Sequence, residues 1–390
     1  MNPIVRQFRD FFVSLKLTVV LLALSMGLIF AATLDQVNLG VWAVQAKYFH
    51  SLFVLWKIPG TDIPLPVFPG GYLLGGFLLV NLVAAHVYRF RLAWKKSGIL
   101  LTHTGLILLL LGEFASGLLQ EEYKMSFAEG ETKNYSESYQ NNEVAIIDAT
   151  DAKFDDVVAV PESLLKAGRP VQVPQLPFRL VTKEYYPNAS FQMRGEVAGA
   201  PPSLATAGIG PQVAVAPQPL TYKPDELNVP AAFIELVGPE GTLGTWLLSP
   251  QLGAPQTFEY GGHNWRLAMR PQRSYKPFTL TLIKVTHDVY PGTDIPKNFS
   301  SRLRLTSLDG HEDREVLIYM NNPLRYAGLT FYQYQMDSER NTSVLQVVRN
   351  PSWLVPYIAC VMMGLGLVIQ FGFHLVGFVG QRSAKATKAV

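Results

Sequence analysis

The sequence predicts an integral membrane protein: four transmembrane helices plus a large, mainly β, sandwich-like domain outside the membrane. Three observations predict this architecture. There are four long apolar runs, a β-patterned stretch between the third and fourth, and basic residues gathered at three places beside the runs. Only 16% of the 390 residues are charged and 48% are hydrophobic, whereas soluble domains carry about 25% charged residues. A soluble cytoplasmic enzyme is excluded. The net charge of +3, clustered beside the apolar runs, gives no footprint for nucleic acid. A single cysteine, Cys360, excludes an internal disulfide, a CxxC redox pair and a covalent CxxCH haem site.

The runs are Leu17–Leu34, Gly71–Tyr88, Gly98–Leu118 and Trp353 to about Val379. A helix crosses a ~30 Å hydrocarbon core with roughly 20 apolar residues, so each run qualifies. The first is read as an uncleaved span, not a signal peptide. It exceeds the apolar length of such segments, and Phe30-Ala31-Ala32-Thr33 is a poor cleavage site. Arg6, Arg9 and Lys16 precede the first run, Arg89, Arg91, Lys95 and Lys96 join the second to the third, and Arg382, Lys385 and Lys388 follow the fourth. Four spans put all three groups on one face, which the positive-inside rule makes cytoplasmic. Both termini then lie inside, at the plasma (inner) membrane, and the β domain lies outside.

The chain divides into 1–118, three spans with an outer interfacial helix over about 40–57; 119–352, the extracytoplasmic β domain; and 353–390, the fourth span with a basic tail. Trp42, Tyr48, Phe49, Phe53 and Trp56 suggest the interfacial helix, and Pro59, Pro64, Pro66 and Pro69 would end it. In the β domain, short β-branched and aromatic runs such as Val144–Asp148, Phe178–Thr182, Ala232–Val237, Phe278–Ile283, Arg302–Thr306, Glu315–Tyr319, Thr330–Tyr334 and Thr342–Val348 predict antiparallel strands. Residues from about 195 to 230, rich in Ala, Pro and Gly, read as a mobile insertion. His263, His287 and His311 have no metal-ligand spacing and read as exposed surface residues.

Ionisable groups within spans are costly and tend to mark sites. His86 ends the second run, His103 begins the third and His374 ends the fourth, so all three fall in the inner half of the bilayer. At 100° per residue, Gly98, Gly105 and Gly112 form one stripe of the third run, suited to close helix packing, and His103 points roughly the opposite way. Gln370 shares the face of His374 one turn away. Two readings stay open. In one, His86 and His374 are hydrated near the headgroups and His103 bonds a carbonyl. In the other, two of the three ligate a haem iron between helices. Cys360 reads as a small buried apolar residue.

The stretch Asn321-Asn-Pro-Leu-Arg-Tyr-Ala-Gly-Leu-Thr-Phe-Tyr-Gln333, then Val344-Leu-Gln-Val-Val-Arg-Asn-Pro351, and Phe127-Ala-Glu-Gly-Glu131 resemble the ResB family, as does the order of spans and β domain. The resemblance implies a part in type II cytochrome c maturation, beside a tryptophan-rich CcsA/ResC-like membrane partner. It implies haem b taken from the cytoplasmic side and joined outside to apocytochrome c. His103 maps onto the family's proposed haem ligand, with His86, His374 or a partner histidine as the second. No catalytic residue is expected in this chain, which would be a non-catalytic subunit of a haem-attaching complex. A cofactor-free scaffold or sensor whose β domain binds an outside partner is the alternative. A cytochrome b is disfavoured, because histidines on one leaflet cannot stack two haems across the bilayer.

Overall fold

The computed structural model describes residues 3–57, 64–89, 94–197, 199, 201–220, 228–292, 296–337 and 340–387. The chain forms two units, Met1–Gln120 with Asn350–Val390, and Glu121–Thr221 with Leu227–Arg349.

The first unit is helical. Its helices are α1 (Pro3–Phe12), α2 (Leu15–Val44), α3 (Gly71–Arg89) and α4 (Ser97–Leu119); α5 (Glu162–Lys166) is a single turn in the other unit, and α6 (Val355–Thr387) closes the chain. Four stretches, Leu15–Val41, Gly71–Arg89, Trp94–Leu119 and Val355–Gln381, are long and apolar enough to cross a membrane. They match the four apolar runs to within a few residues at most ends, the first reaching seven residues further. Leu21, Leu28 and Ala32 of α2 share a core with Leu74 of α3.

A buried asparagine ties α1 and α2 to α3. Asn81, 2% exposed, donates to the Phe12 carbonyl at 2.6 Å and the Ser14 carbonyl at 3.2 Å, and accepts from Thr18 Oγ1 at 2.6 Å. Both carbonyls lie at the break between α1 and α2; the end of α1 leaves that of Phe12 without a helical partner, while that of Ser14 also accepts from the Thr18 amide at 3.4 Å. At the other end, Asn350 Nδ2 donates to Ser116 Oγ (3.0 Å) and Gln120 Oε1 (3.2 Å), while its Oδ1 accepts from the Ser352 amide (2.9 Å). The end of α4 is thereby joined to the approach to α6.

The expected interfacial helix over about 40–57 is corrected in its second half, the first half being helical to Phe49. α2 bends at Gly40 (φ 76°), a π turn covers Gln45–Phe49, and Phe53–Lys57 is a strand paired antiparallel with Pro64–Pro69. Phe53-Val54-Leu55-Trp56 is a β-branched and aromatic sequence that suits a pleated ribbon better than a helix. Asp35 anchors the π turn by accepting from Lys47 Nζ (2.6 Å) and Tyr48 OH (2.9 Å). Pro59 lies outside the described residues.

The second unit is strand-built, and every stretch expected as a strand lies within an observed strand to within one residue. Its main sheet has ten strands, all antiparallel. The 27-residue strand His263–Val289 runs through both halves of it. One half packs Val144, Ile146, Leu267 and Met269 against Leu180, Ile234, Leu236 and Leu248 of a three-stranded sheet. The other half curls on itself. Leu280, Leu282, Leu303, Leu305 and Ile318 enclose one core with Met125, Phe127, Phe331, Leu345 and Val347. Register breaks at Pro271/Arg273 and Tyr275/Leu280 let the long strand turn from one core to the other.

Part of the Ala/Pro-rich stretch expected as an insertion is built into this unit. Val213–Pro217 pairs with Ala189–Met193, and Ala205 and Val213 are buried with Phe233 and Leu247. Small side chains allow this close fit, since a Cβ on Gly210 would meet the Cβ of Leu247 at 2.9 Å. Glu162, on α5, has an 8% exposed side chain. Burial raises its pKa, but Lys166 Nζ (2.8 Å), Tyr185 OH and the Asn142 side-chain amide (2.9 Å) outweigh that and hold it below the usual range.

Candidate functional site

The sequence Thr102-His103-Thr104 forms one turn of α4 in which each side chain bonds the carbonyl four residues back. Thr102 Oγ1 donates to Gly98 O (2.9 Å), His103 Nδ1 to Ile99 O (2.8 Å) and Thr104 Oγ1 to Leu100 O (2.9 Å). Side chains of this type readily turn back on the helix backbone. A carbonyl only accepts, so Nδ1 of His103 carries a proton, and the neutral form of the ring then has its lone pair on Nε2.

His86, near the end of α3, meets this turn. Its Nε2 lies 3.3 Å from Thr104 Oγ1, and its ring centroid is 6.3 Å from that of His103, with 32° between the planes. Thr104 spends its one hydroxyl proton on Leu100, so it accepts from His86, whose Nε2 is then the protonated nitrogen. Both rings are half-buried. The fold thus brings His86 and His103 together.

It does not bring His374 into the same cluster. His374 is exposed on α6, where its Nε2 bonds Gln370 Nε2 at 3.0 Å, in keeping with their shared helical face. Among the described residues, no group of three or more His, Cys, Asp or Glu is placed to hold one metal ion.

The opposite face of α4 carries the glycine stripe, and it packs on α6. Gly98, Gly105 and Gly112 are the buried residues of α4. A Cβ at Gly98 would meet Gly366 O at 2.5 Å, one at Gly105 would meet Met363 Cγ at 2.7 Å and Ala359 O at 2.9 Å, and one at Gly112 would meet Val355 Cγ1 at 2.6 Å. Backbone therefore touches backbone, which only glycine permits. Locking α4 against α6 fixes the rotation of α4 and aims His103 toward α3.

Other expectations resolve simply. Cys360 is corrected: it is exposed on α6, not buried, because the α4-facing side of α6 is formed by Val355, Ala359, Met363, Gly366 and Gln370. His263 is exposed and bonds Asp148 at 2.6 Å, and His311 is exposed. His287 is half-buried, stacked on Phe299 at 4.7 Å. Sequence reasoning missed Thr104 as the partner of His86, although its spacing next to His103 was visible. It also missed Asn81, a lone amide in an apolar run.

In the strand-built unit, the Asn321–Gln333 motif is explained by structure. Ala327 (φ 49°) and Gly328 (φ 75°) make the tight turn joining Leu324–Tyr326 to Leu329–Asp337, a turn that needs positive φ at both central residues. Phe331 is fully buried, and Gln333 accepts from Ser301 (2.6 Å) and donates to Ser343 (3.0 Å).

This same region lies within the family match. The ResB-like family pattern matches residues 256–342. Protein NrfI of Wolinella succinogenes is 31% identical over 102 residues, 26% of this chain and 11% of that protein. The match thus spans about a tenth of that relative's length. By these two matches the chain is similar to ResB-like proteins, and the family pattern lies in its strand-built unit.

Proposed function

We propose that this chain acts in cytochrome c biogenesis as a membrane-anchored, non-catalytic subunit of a type II maturation complex. Its four apolar helices cross the plasma membrane with both termini in the cytoplasm. Its task is to hold haem b near the inner leaflet and help deliver it to apocytochrome c outside, beside a tryptophan-rich CcsA/ResC-like partner. Haem is here the cargo. The ResB-like matches support the process, and the Thr102-His103-Thr104 turn facing His86 is the observation that supports the haem role.

The donor set suits the cargo. A ligating histidine commonly gives its other N–H to a carbonyl, which fixes tautomer and ring orientation. His103 does this toward Ile99, keeping its lone pair on Nε2. His86 has its Nε2 proton committed to Thr104 and would have to exchange tautomer to ligate through that nitrogen. His103 is therefore the ligand of the two, and His86 its neighbour. The iron and porphyrin carry the attachment chemistry, while the protein supplies binding and orientation. No side chain here acts as acid, base or nucleophile.

The test is a pyridine haemochrome spectrum of the purified chain, alone and with its membrane partner, paired with a cytochrome c maturation assay in cells lacking the chain. Haem in the purified chain and loss of holocytochrome c without it are expected. Maturation that depends on the chain while no haem is found under either condition would favour the cofactor-free scaffold.

A further inference from the structure

The hairpin Phe53–Lys57/Pro64–Pro69 has no part in the haem reading. Apart from Lys57, its strands hold only apolar residues. Val54 and Phe68 pack with Leu28, Ala32 and Leu74 of α2 and α3. The remaining large side chains face outward, with Phe53 49%, Leu55 50%, Trp56 67%, Leu65 49% and Val67 54% exposed. So continuous an apolar surface marks an interaction site.

Its height along the helices says with what. α3 runs antiparallel to α2, with Asn81 bonded to Thr18. Gly71, ten residues before Asn81, lies about 15 Å along the axis from that level, and a Cβ at Gly27 would touch the Phe68 ring at 3.7 Å. The 19 residues of α3 extend about 28 Å, close to the ~30 Å of a hydrocarbon core. The hairpin joins α3 at its start, the end opposite His86, and so sits level with the far edge of that core.

Its edges point the same way. Pro64, Pro66 and Pro69 leave three of the six residues of the second strand without an N–H. That edge recruits no further strand, and fewer donors must be satisfied where water is scarce. Aromatic residues such as Trp56 and Phe53 favour the headgroup boundary.

We propose that this hairpin is a lipid anchor, seated at the outer headgroup boundary with the acyl-chain margin of the bilayer covering its exposed side. The proposal rests on the reading of α2, α3, α4 and α6 as spans. It sets the depth of the outer end of α3, and with it the height of the bundle in the membrane.

The test uses the full chain in phosphatidylcholine–phosphatidylglycerol vesicles carrying lipids spin-labelled at the headgroup or along the acyl chain. A fluorophore on the native Cys360 reports a span. One on Leu55→Cys or Leu65→Cys, each in a Cys360→Ser background, reports the hairpin, and one on Lys153→Cys reports an exposed loop of the other unit. We expect the hairpin labels to be quenched severalfold more by shallow spin-labelled lipid than by aqueous iodide, and the Lys153 label to show the reverse. Iodide quenching of the hairpin equal to that at Lys153, with Cys360 still quenched by lipid, would overturn the proposal alone. Protection that vanishes on dilution of the protein in lipid would also overturn it, in favour of a second copy. Failure of lipid quenching at Cys360 as well would remove the spans themselves.

Discussion

The two faces of α4 differ in what they demand of a residue. Toward α6, Gly98, Gly105 and Gly112 admit no side chain, because the neighbouring backbone and the side chains of Met363 and Val355 occupy that space. Toward α3, His103 and Thr104 meet His86 through polar side chains, with ring centroids 6.3 Å apart. One face is a fixed joint and the other has room for chemistry. The contrast teaches that a rigid joint on one side of a helix is what allows a side chain on its other side to keep a defined direction.

Substitutions that touch one face alone separate the two. Gly105→Leu should have the largest effect on stability, because overpacking of a close contact typically costs about 1–3 kcal/mol and sometimes more. Thermal unfolding in detergent would register it as a lowered midpoint, and the sharper expectation is that bound haem falls in parallel as α4 loses its orientation. Asn81→Leu removes the donor for two carbonyls at the break between α1 and α2, which should cost about 1–3 kcal/mol. Haem per folded molecule should stay unchanged in that variant, since α1 and α2 do not contribute to the histidine pair.

Glu162→Gln serves as a control far in sequence from both faces. The Glu162 carboxyl has a depressed folded-state pKa, so its stabilisation is present above the unfolded value of about 4.3 and lost as pH falls through the folded one. The Gln variant should be less stable at neutral pH and lose less on acidification. An acid unfolding curve of unchanged shape would contradict that assignment. Thr104→Val should give the smallest effect, a change of at most a few fold in haem affinity with the fold intact, because it frees His86 without touching His103. A spectroscopic titration with haem reads this directly.

The helices were legible because membrane-length apolar runs leave few alternatives, and the seven-residue glycine spacing named the packing face before any partner was known. The strands were legible because β-branched clusters lie between turn residues such as Ala327-Gly328. Phe53–Trp56 misled because aromatic residues near a span fit an interfacial helix and an interfacial ribbon equally well. Pairing with Leu65–Pro69, nine to sixteen residues away in sequence, decided between them. Cys360 misled for a related reason, since polarity gives no sign of which side of an all-apolar helix faces α4. Within the site, His103 and His86 stood out as ionisable residues in apolar runs. The hydrogen bond that sets the tautomer of His86 comes from the neighbouring helix and could not be read from spacing along α3.

Ligation by His103 is most directly tested by His103→Gly in the full chain, measured by the absorption spectrum of bound haem before and after imidazole is added. The account predicts that haem is lost from the variant and that free imidazole restores the spectrum, because the small ligand fills the space the side chain vacated. Haem retained in the variant with an unchanged spectrum and no imidazole would contradict it.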